Sequence, residues 1–198
     1  MMKKIIFCIL LLLPLGVIAQ SHIVFMGIPL NDNYHNIARK LQKKGFKIGS
    51  NSYENGKLET FYNYPEYEFY LHGIYKGSPV NINLSYTPQT EIVRMASISY
   101  YEISDDWKAT KSKYEKFKSE YISKYGQPDP ELTNENEPYS LMQLRSGLDI
   151  DYSCGFYVKG GRIFVCLNNF KDKVYVLIIY VDDINQSKYE RELGRLYR

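Results

Sequence analysis

The sequence predicts an α+β fold in two layers, an antiparallel sheet with helices packed on one of its faces. Two observations support this prediction. Short segments alternate apolar and polar residues, as half-buried strands do, and two longer segments repeat apolar residues at helical spacing. The order of these segments, a helix and then a three-strand meander, occurs twice, so we expect two such repeats to build one sheet.

The first repeat is expected over residues 31–103. Its helix begins at a cap formed by Asn31 or Asp32 and ends at Gly45, which can adopt a left-handed conformation. The polar stretch after the helix is expected to be a loop. Strands are predicted before the helix and after the loop, at His22–Leu30, Glu66–Tyr75, Val80–Tyr86 and Ile92–Tyr101.

The second repeat is expected over residues 104–185, with a C-terminal helix over residues 186–197. Ser104 is expected to cap the helix of this repeat, whose aromatic residues recur at helical spacing. The polar, proline-containing stretch over residues 127–138 is expected to be a surface loop. The three predicted strands are Leu148–Val158, Arg162–Asn168 and Lys173–Val181.

Two segments of the chain resemble each other, GIYKGSPVNINL from Gly73 and GFYVKGGRIFVCL from Gly155. Their apolar residues match at nearly constant spacing, and the spacing changes only in turns, where insertions cost little. Duplication of one unit explains the match; the alternative is that any two helix-plus-meander segments look this similar. The matched strand residues are Val80, Ile82 and Leu84 in the first segment and Ile163, Val165 and Leu167 in the second.

Residues 1–19 have the pattern of a secretory signal peptide. Two lysines precede an apolar run over residues 5–18, and Ala19 is the small residue expected at a cleavage site. The run is shorter than the roughly 20 residues that a membrane-spanning helix needs. We therefore expect a mature chain, residues 20–198, that is secreted or periplasmic, forms a single domain and has no membrane span.

The composition argues against nucleic-acid binding. The net charge of the chain is +3, and two of its lysines lie in the predicted signal peptide. Nucleic-acid binding requires a concentrated basic surface, which the remaining sequence lacks. The 20 tyrosines are the unusual feature: a large ring with one polar tip suits half-buried sheet surfaces and binding faces alike.

Four segments carry a family resemblance: Phe25–Leu30, Leu41–Phe46, Lys124–Pro128 and Val181–Asn185. In them the chain resembles a group of small secreted bacterial proteins of unknown function, and the matching residues imply no catalytic role. In the order of its elements, the chain is also similar to the β-lactamase-inhibitor-protein architecture of tandem helix-plus-meander units. One such unit also forms small outer-membrane assembly lipoproteins. Because these relatives bind other proteins, this resemblance implies protein binding.

Cys154 and Cys166 are the cysteines of the predicted mature chain, and their pairing depends on the register of one hairpin. A three-residue loop over residues 159–161 sets them opposite each other, where a disulfide is possible. A two-residue loop over residues 160–161 puts them on opposite faces instead. The second register also builds the better apolar face, so we expect free thiols.

The sequence contains no recognised motif for catalysis, phosphate binding or metal binding. His22, His35 and His72 are not spaced as metal ligands, and we expect neither a metal nor another cofactor. We therefore favour a protein without enzymatic activity. The alternatives are a hydrolase of envelope material, which would use His72 with nearby acids, and a structural component of the envelope.

The sheet face opposite the helices is the predicted binding site. It combines aromatic rings with amides, hydroxyls and a guanidinium, which is typical of surfaces that bind proteins or glycans. A solvated face without a partner is the alternative. We expect a binding module whose partner is another envelope or extracellular protein, or a glycan. The predicted face consists of Tyr70, His72, Asn81, Asn83, Ser85, Asp151, Ser153, Tyr157, Arg162, Phe164 and Asn168.

Overall fold

The computed structural model describes residues 21–54, 57–61, 66–104, 107–135, 152–170 and 173–196, and the predicted signal peptide lies outside these ranges. Three helices and twelve strands form within the described residues. The helices are α1 (Tyr34–Gln42), α2 (Trp107–Tyr125) and α3 (Asp183–Leu196). The strands are β1 (Val24–Phe25), β2 (Ile28–Pro29), β3 (Lys47–Ile48), β4 (Ser50–Glu54), β5 (Lys57–Phe61), β6 (Glu68–Tyr75), β7 (Ser78–Tyr86), β8 (Val93–Ser104), β9 (Asp129–Asn134), β10 (Tyr152–Val158), β11 (Gly161–Phe170) and β12 (Lys173–Asp182).

Eight of the strands form one antiparallel sheet in the order β3-β6-β7-β8-β12-β11-β10-β9. Its central pair, β8 and β12, joins strands that are distant in the sequence. β1 pairs with β2 and β4 pairs with β5 in separate two-stranded sheets, and β4 lies against β6 and β7. The prediction of an α+β fold with a large antiparallel sheet is therefore confirmed.

α1 and α2 pack on the same face of this sheet, which we call the first face. On α2, the ring of Phe117 lies 4.6 Å from that of Tyr100 in β8, and on α1 the ring of Tyr34 lies 5.2 Å from that of Phe69 in β6. Full burial of one large apolar side chain stabilises a fold by about 1.5–3 kcal/mol. One buried row of the first face crosses five strands through Leu71, Ile82, Ile98, Ile178 and Val165.

The observed cap of α1 differs from the predicted one, and the predicted cap of α2 is not tested. The N-cap of α1 is Asn33, whose Oδ1 accepts a hydrogen bond from the backbone N–H of Asn36 at 2.9 Å. Asp32 instead accepts from the Nδ2 group of Asn36 at 2.8 Å and therefore supports the cap from outside the helix. Ser104 is the last residue of β8, and the two residues between it and α2 lie outside the described ranges.

The segment His22–Leu30, predicted as one strand, contains the hairpin of β1 and β2. Met26 and Gly27 form its turn with φ angles of 49° and 77°, a left-handed region that glycine adopts at little cost. The sequence predicts a single strand because these two residues lack the Asn or Asp that usually marks such a turn. Phe25 is fully buried with its ring edge-on to Tyr180, so the hairpin packs on the first face.

Two stretches that the sequence predicts as loops contain strands. β4 and β5 follow α1 and β3, and β9 occupies part of the predicted loop over residues 127–138. β9 pairs with β10 at one edge of the main sheet, where Asn134 lies opposite Ser153. Edge strands and separate hairpins need no alternation of apolar and polar residues, because little of their surface is buried in the core. The pattern that predicts strands is therefore missing from both stretches.

The two glycines that begin the matching segments lie on opposite faces of the sheet. Gly73 pairs with Val80 on the first face, whereas Gly155 pairs with Phe164 on the other face. The apolar residues keep the predicted correspondence, since Ile163, the match of Val80, is also buried on the first face. The two segments thus match at the apolar residues of their central strands, but their first glycines are offset from each other by one position.

A buried carboxylate connects the N-terminal segment to the end of the main sheet. Asp182, the last residue of β12, is fully buried and accepts hydrogen bonds from the Nδ1 atom of His22 at 3.0 Å and the backbone N–H of Ile23 at 3.1 Å. Its other oxygen accepts from the backbone N–H of Asn185 at 3.0 Å and so caps α3. One side chain therefore holds three parts of the chain together.

We expect Asp182→Ala to lower the free energy of unfolding by about 3 kcal/mol, because it leaves buried donors without acceptors. Asp183→Ala is the matched control. The Asp183 side chain is 46% exposed and forms one ion pair, with Arg162, so its loss should change the free energy by no more than about 1 kcal/mol. Urea unfolding of both variants measures the difference. Equal effects would contradict the structural role of Asp182.

Candidate binding face

The sheet face opposite α1 and α2, the second face, brings together the predicted binding residues that the structure describes. Asp151 lies outside the described residues. Cross-strand pairing aligns a row of positions across six strands: Tyr70, Asn83, Ser97, Ile179, Phe164 and Gly155. The rows beside it contain His72, Asn81, Ser85, Ser153, Tyr157, Arg162 and Asn168.

The centre of the second face is apolar. Ile179 of β12 lies opposite Phe164 of β11 on one side and Ser97 of β8 on the other. Leu177 and Val181 lie two positions before and after Ile179 and so project from the same side of the strand. Ile179, Leu177, Val181 and Phe164 are all half-buried, unlike the fully buried apolar side chains of the first face. The second face therefore offers a contiguous apolar surface.

Sequence reasoning missed the contribution of β12 to this face. The strand is apolar or aromatic at every position from Val174 to Val181, so alternation cannot distinguish its two sides. A continuous apolar run is typical of a central strand with both faces shielded from water. The continuous apolar run could therefore have indicated that both sides of β12 are apolar. Met95 of β8, which lies opposite Val181, is also absent from the predicted face.

A hydrogen-bonded group forms the polar side of the face on β6 and β7. The Tyr70 hydroxyl donates to a carboxylate oxygen of Glu68, and the Nδ2 group of Asn83 donates to the same oxygen at 3.1 Å. Asn83 Oδ1 is buried and has no hydrogen-bond partner within the part of the chain that the structure describes. Neighbouring Asn81 and Ser85 are 3% and 2% exposed, so the structure encloses these two predicted binding residues. Tyr70 and Glu68 are half-buried and form the accessible part of this side of the face.

His72 is half-buried in β6, opposite Asn81 of β7 and Lys47 of β3. Burial, and then the positive charge of Lys47, lower the pKa of the His72 imidazole below its usual value. The ring is therefore neutral at neutral pH. In that form it offers one hydrogen-bond donor and one acceptor, and adds no charge to the face.

Aromatic and charged residues form the opposite side, on β10 and β11. Tyr157 is 56% exposed and lies opposite Arg162. The Nε group of Arg162 donates to Asp183 Oδ1 at 2.8 Å, which fixes the guanidinium at the end of the sheet. Asn168 lies opposite Tyr175 further along β11. The apolar centre thus lies between two polar sides that also contain tyrosines.

Gly155 lets the edge strand β9 extend the apolar centre. A β-carbon at Gly155 would lie 2.4 Å from the Cβ atom of Leu132 and 3.1 Å from the Cδ1 atom of Phe164, closer than packed atoms approach. Leu132 therefore occupies the space above the glycine backbone, next to Phe164. Any larger residue at position 155 would displace β9.

The register of the β10–β11 hairpin separates the two cysteines. Val158 pairs with Gly161, so residues 159 and 160 form a two-residue turn, which differs from both loops that the sequence suggests. Cys154 lies opposite Val165 and is fully buried on the first face, whereas Cys166 lies opposite Ser153 and is half-buried on the second face. Within the part of the chain that the structure describes, neither cysteine forms a disulfide.

Comparison of the chain with known protein families, curated proteins and solved structures found no match. None of the helices in the described ranges is long and apolar enough to cross a membrane. Within the same ranges, no group of three or more His, Cys, Asp or Glu residues is arranged to hold a metal ion.

We expect Cys166 to react with a maleimide in the native protein much faster than Cys154. Burial raises the pKa of the Cys154 thiol, so little of the reactive thiolate is present at neutral pH, and the side chain is inaccessible. Mass spectrometry of residues 20–198, which lack Cys8, should show after brief labelling one adduct on the native protein and two on the unfolded protein. Cys166→Ser should remove the native adduct. A native mass lower by two hydrogens would reveal a disulfide and contradict this register.

Proposed function

We propose that this protein is a non-enzymatic binding module that recognises another envelope or extracellular protein through the second face of its sheet. The observation that carries the proposal is the apolar centre formed by Ile179, Phe164 and their neighbours. These side chains are only half-buried, whereas the apolar side chains of the first face are covered by α1 and α2. Contiguous apolar surface of this kind is characteristic of interaction sites.

The arrangement of the face favours a folded protein as the partner. Protein interfaces combine an apolar centre, low in charge, with a polar rim in which tyrosine and arginine are enriched. The central row, with Ile179 and Phe164, contains no charged residue, and Tyr157 and Arg162 lie at its edge. The Glu68 hydrogen bonds hold part of the polar rim in place, which reduces the conformational entropy lost on binding.

We also propose that residues 1–19 direct export and are removed, which leaves the protein secreted or periplasmic. Support comes from the two lysines, the apolar run and Ala19 in the sequence. Mass spectrometry of the protein recovered outside the cytoplasm should give a chain that begins at Gln20. Recovery of the intact chain from the cytoplasm would exclude this proposal.

Duplication of one helix-plus-meander unit is the origin that we propose for the fold. Each half has a helix, then an edge strand, then three strands in meander order, and the halves meet at β8 and β12. The offset of Gly73 and Gly155 requires a one-residue change in one copy. The resemblance to the tandem units of β-lactamase-inhibitor proteins remains a prediction based on element order, and it agrees with a protein-binding role.

Introducing charge at the apolar centre should abolish partner binding. We propose the double variant Phe164→Glu with Ile179→Lys, which places opposite charges at positions that face each other on neighbouring strands and leaves the net charge unchanged. If these residues are a binding hot spot, the affinity for the partner should fall at least about thirtyfold. The partner is first captured by crosslinking from the native envelope or medium and purified. Its affinity is then measured by titration with the unchanged protein and with the double variant.

The matched control is Val24→Glu with Leu196→Lys, which exchanges two apolar residues that are 52% and 49% exposed on β1 and α3. This pair should bind the partner as the unchanged protein does, and thermal unfolding should show that both double variants are folded. Equal affinity of the folded Phe164→Glu/Ile179→Lys variant would exclude the second face. If the protein captures glycan and hydrolyses it, the hydrolase alternative is favoured. If it captures only other copies of itself, a structural component is favoured.

A further inference from the structure

A pocket of about 410 Å³ lies at the end of the main sheet where β6 begins and β7 ends, beside the first turn of α1. Its lining includes four half-buried aromatic side chains, those of Tyr34, Tyr67, Phe69 and Tyr86. The volume is within the range of pockets that hold small organic ligands. The aromatic lining determines what kind of ligand fits.

The ring of Tyr86 is the centre of this aromatic group. It is stacked on the ring of Tyr34, with 4.2 Å between the ring centres and 15° between the planes. The ring of Tyr67 lies 6.2 Å from it at an angle of 88°, so the rings of Tyr67 and Tyr86 form two perpendicular walls. The face of an aromatic ring carries partial negative charge and attracts cations.

The charged residues of the lining are all acidic. They are Glu66, Glu68 and Glu91, and no lysine or arginine accompanies them among the residues described. Glu68 accepts hydrogen bonds on the second face, whereas Glu66 and Glu91 are exposed and form no ion pair in the described ranges. The pKa of Tyr86 is raised by burial first, and then by Tyr34 and by the charges of these two exposed carboxylates. The pocket therefore combines ring faces with negative charge that no basic residue of its lining balances.

Two residues of the lining have an unfavourable backbone conformation. Tyr67 and Glu91 have φ angles of 63° and 55°, in the left-handed region that bulky residues rarely adopt. Their carbonyl groups connect the walls of the pocket: that of Tyr67 accepts from the N–H of Tyr86 at 3.0 Å, and that of Glu91 accepts from the N–H of Tyr34 at 2.9 Å. Strained positions of this kind are concentrated at binding sites, where the surrounding structure maintains them.

A buried carboxylate of α3 holds the loop that contains Glu91. Glu192 is 4% exposed, and it accepts hydrogen bonds from the backbone N–H of Gln89 at 2.8 Å and from the hydroxyl of Thr90 at 2.7 Å. The acidic wall of the pocket is thus fixed in the free protein. A wall that is already fixed reduces the conformational entropy lost on binding.

We propose that this pocket binds an organic cation that carries a methylated ammonium group. The methyl groups would contact the rings of Tyr67 and Tyr86, and the positive charge would face the carboxylates of Glu66 and Glu91. Such a group keeps its charge while presenting an apolar surface, so it gains from both the rings and the carboxylates. The described lining includes none of the apolar centre of the second face, so binding does not require the proposed protein partner.

Titration of the purified protein with choline, followed by calorimetry and NMR at constant ionic strength, tests the site. We expect one saturable site for choline and at least about tenfold weaker binding of dimethylbutanol, its uncharged carbon isostere, because the isostere has the shape without the charge. The amide of N-acetyl-trimethyllysine is the third probe. If it binds more tightly than choline, the natural ligand is a methylated side chain of a protein; if choline binds more tightly, the ligand is a free small cation.

Two substitutions of Tyr86 separate the ring from its hydroxyl. Tyr86→Leu should weaken choline binding about tenfold because it removes one ring face, whereas Tyr86→Phe keeps the ring and should bind choline within about twofold of the unchanged protein. Thermal unfolding establishes that both variants are folded. Equal losses in the two folded variants would overturn the proposal, because the hydroxyl rather than the ring would then be responsible.

Glu91→Gln tests the contribution of charge at an exposed side chain, so it does not depend on the packing of the rings. It should weaken choline binding several-fold and reduce the dependence of binding on salt concentration. The matched control is Glu131→Gln, an exposed position of β9 at the opposite edge of the main sheet, which should change neither. The proposal is overturned if neither methylated probe saturates at millimolar concentration, if dimethylbutanol binds as tightly as choline, or if Glu91→Gln leaves binding unchanged.

Discussion

The pairing of β8 with β12 is the interaction on which the rest of the fold depends. It joins two groups of strands that are separated in the sequence by α2, and it forms the middle of the eight-stranded sheet. Ile98 lies opposite Ile178 in this pair, and Tyr100 lies opposite Val176, all of them buried on the first face. Without the pairing, each half would present an unpaired strand edge and would have too little buried surface for one common core.

The same central pair presents different side chains on the two faces of the sheet. On the first face its side chains are large and apolar, and the aromatic residues of α2 cover them. On the second face β8 contributes small hydroxyls such as Ser97 and Ser99, while β12 contributes Leu177 and Ile179. The hydrophobic effect then favours covering this surface with another molecule, because the half-buried side chains still contact water.

The sequence was sufficient for the central part of the fold and insufficient at its edges. Alternation of apolar and polar residues identified β7 and β11. In β11 buried residues such as Ile163 alternate with half-buried ones such as Phe164, whereas in β7 the polar residues Asn81 and Ser85 are buried as well. Alternation failed for β4, β5 and β9, because pairing at an edge or in a small hairpin imposes no apolar period. It also failed to assign the sides of β12, because both are apolar there. The polar positions of the candidate face could be predicted, while its apolar centre depends on the pairing of β12 with β8, a strand distant from it in the sequence.

Unpaired polar atoms lower the stability of this protein. Among the described side chains, three buried polar atoms have no partner, on Asn83, Arg94 and Tyr100. Arg94 still stacks on Tyr189 at 3.9 Å and donates to Gln186 through another nitrogen, so its unpaired Nε is a small loss for a group with five donors. Asn83 likewise donates to Glu68 through its Nδ2 group, whereas the hydroxyl is the one polar group of the Tyr100 side chain.

Asn83 lies on the second face and Tyr100 lies on the first, and neither unpaired atom is exposed to solvent. A buried polar group without a partner destabilises a protein by about 1–3 kcal/mol. Full burial of one large apolar side chain contributes a stabilisation of similar size, and the central pair alone buries Ile98, Val176 and Ile178. The apolar core therefore offsets the penalty of these unpaired atoms.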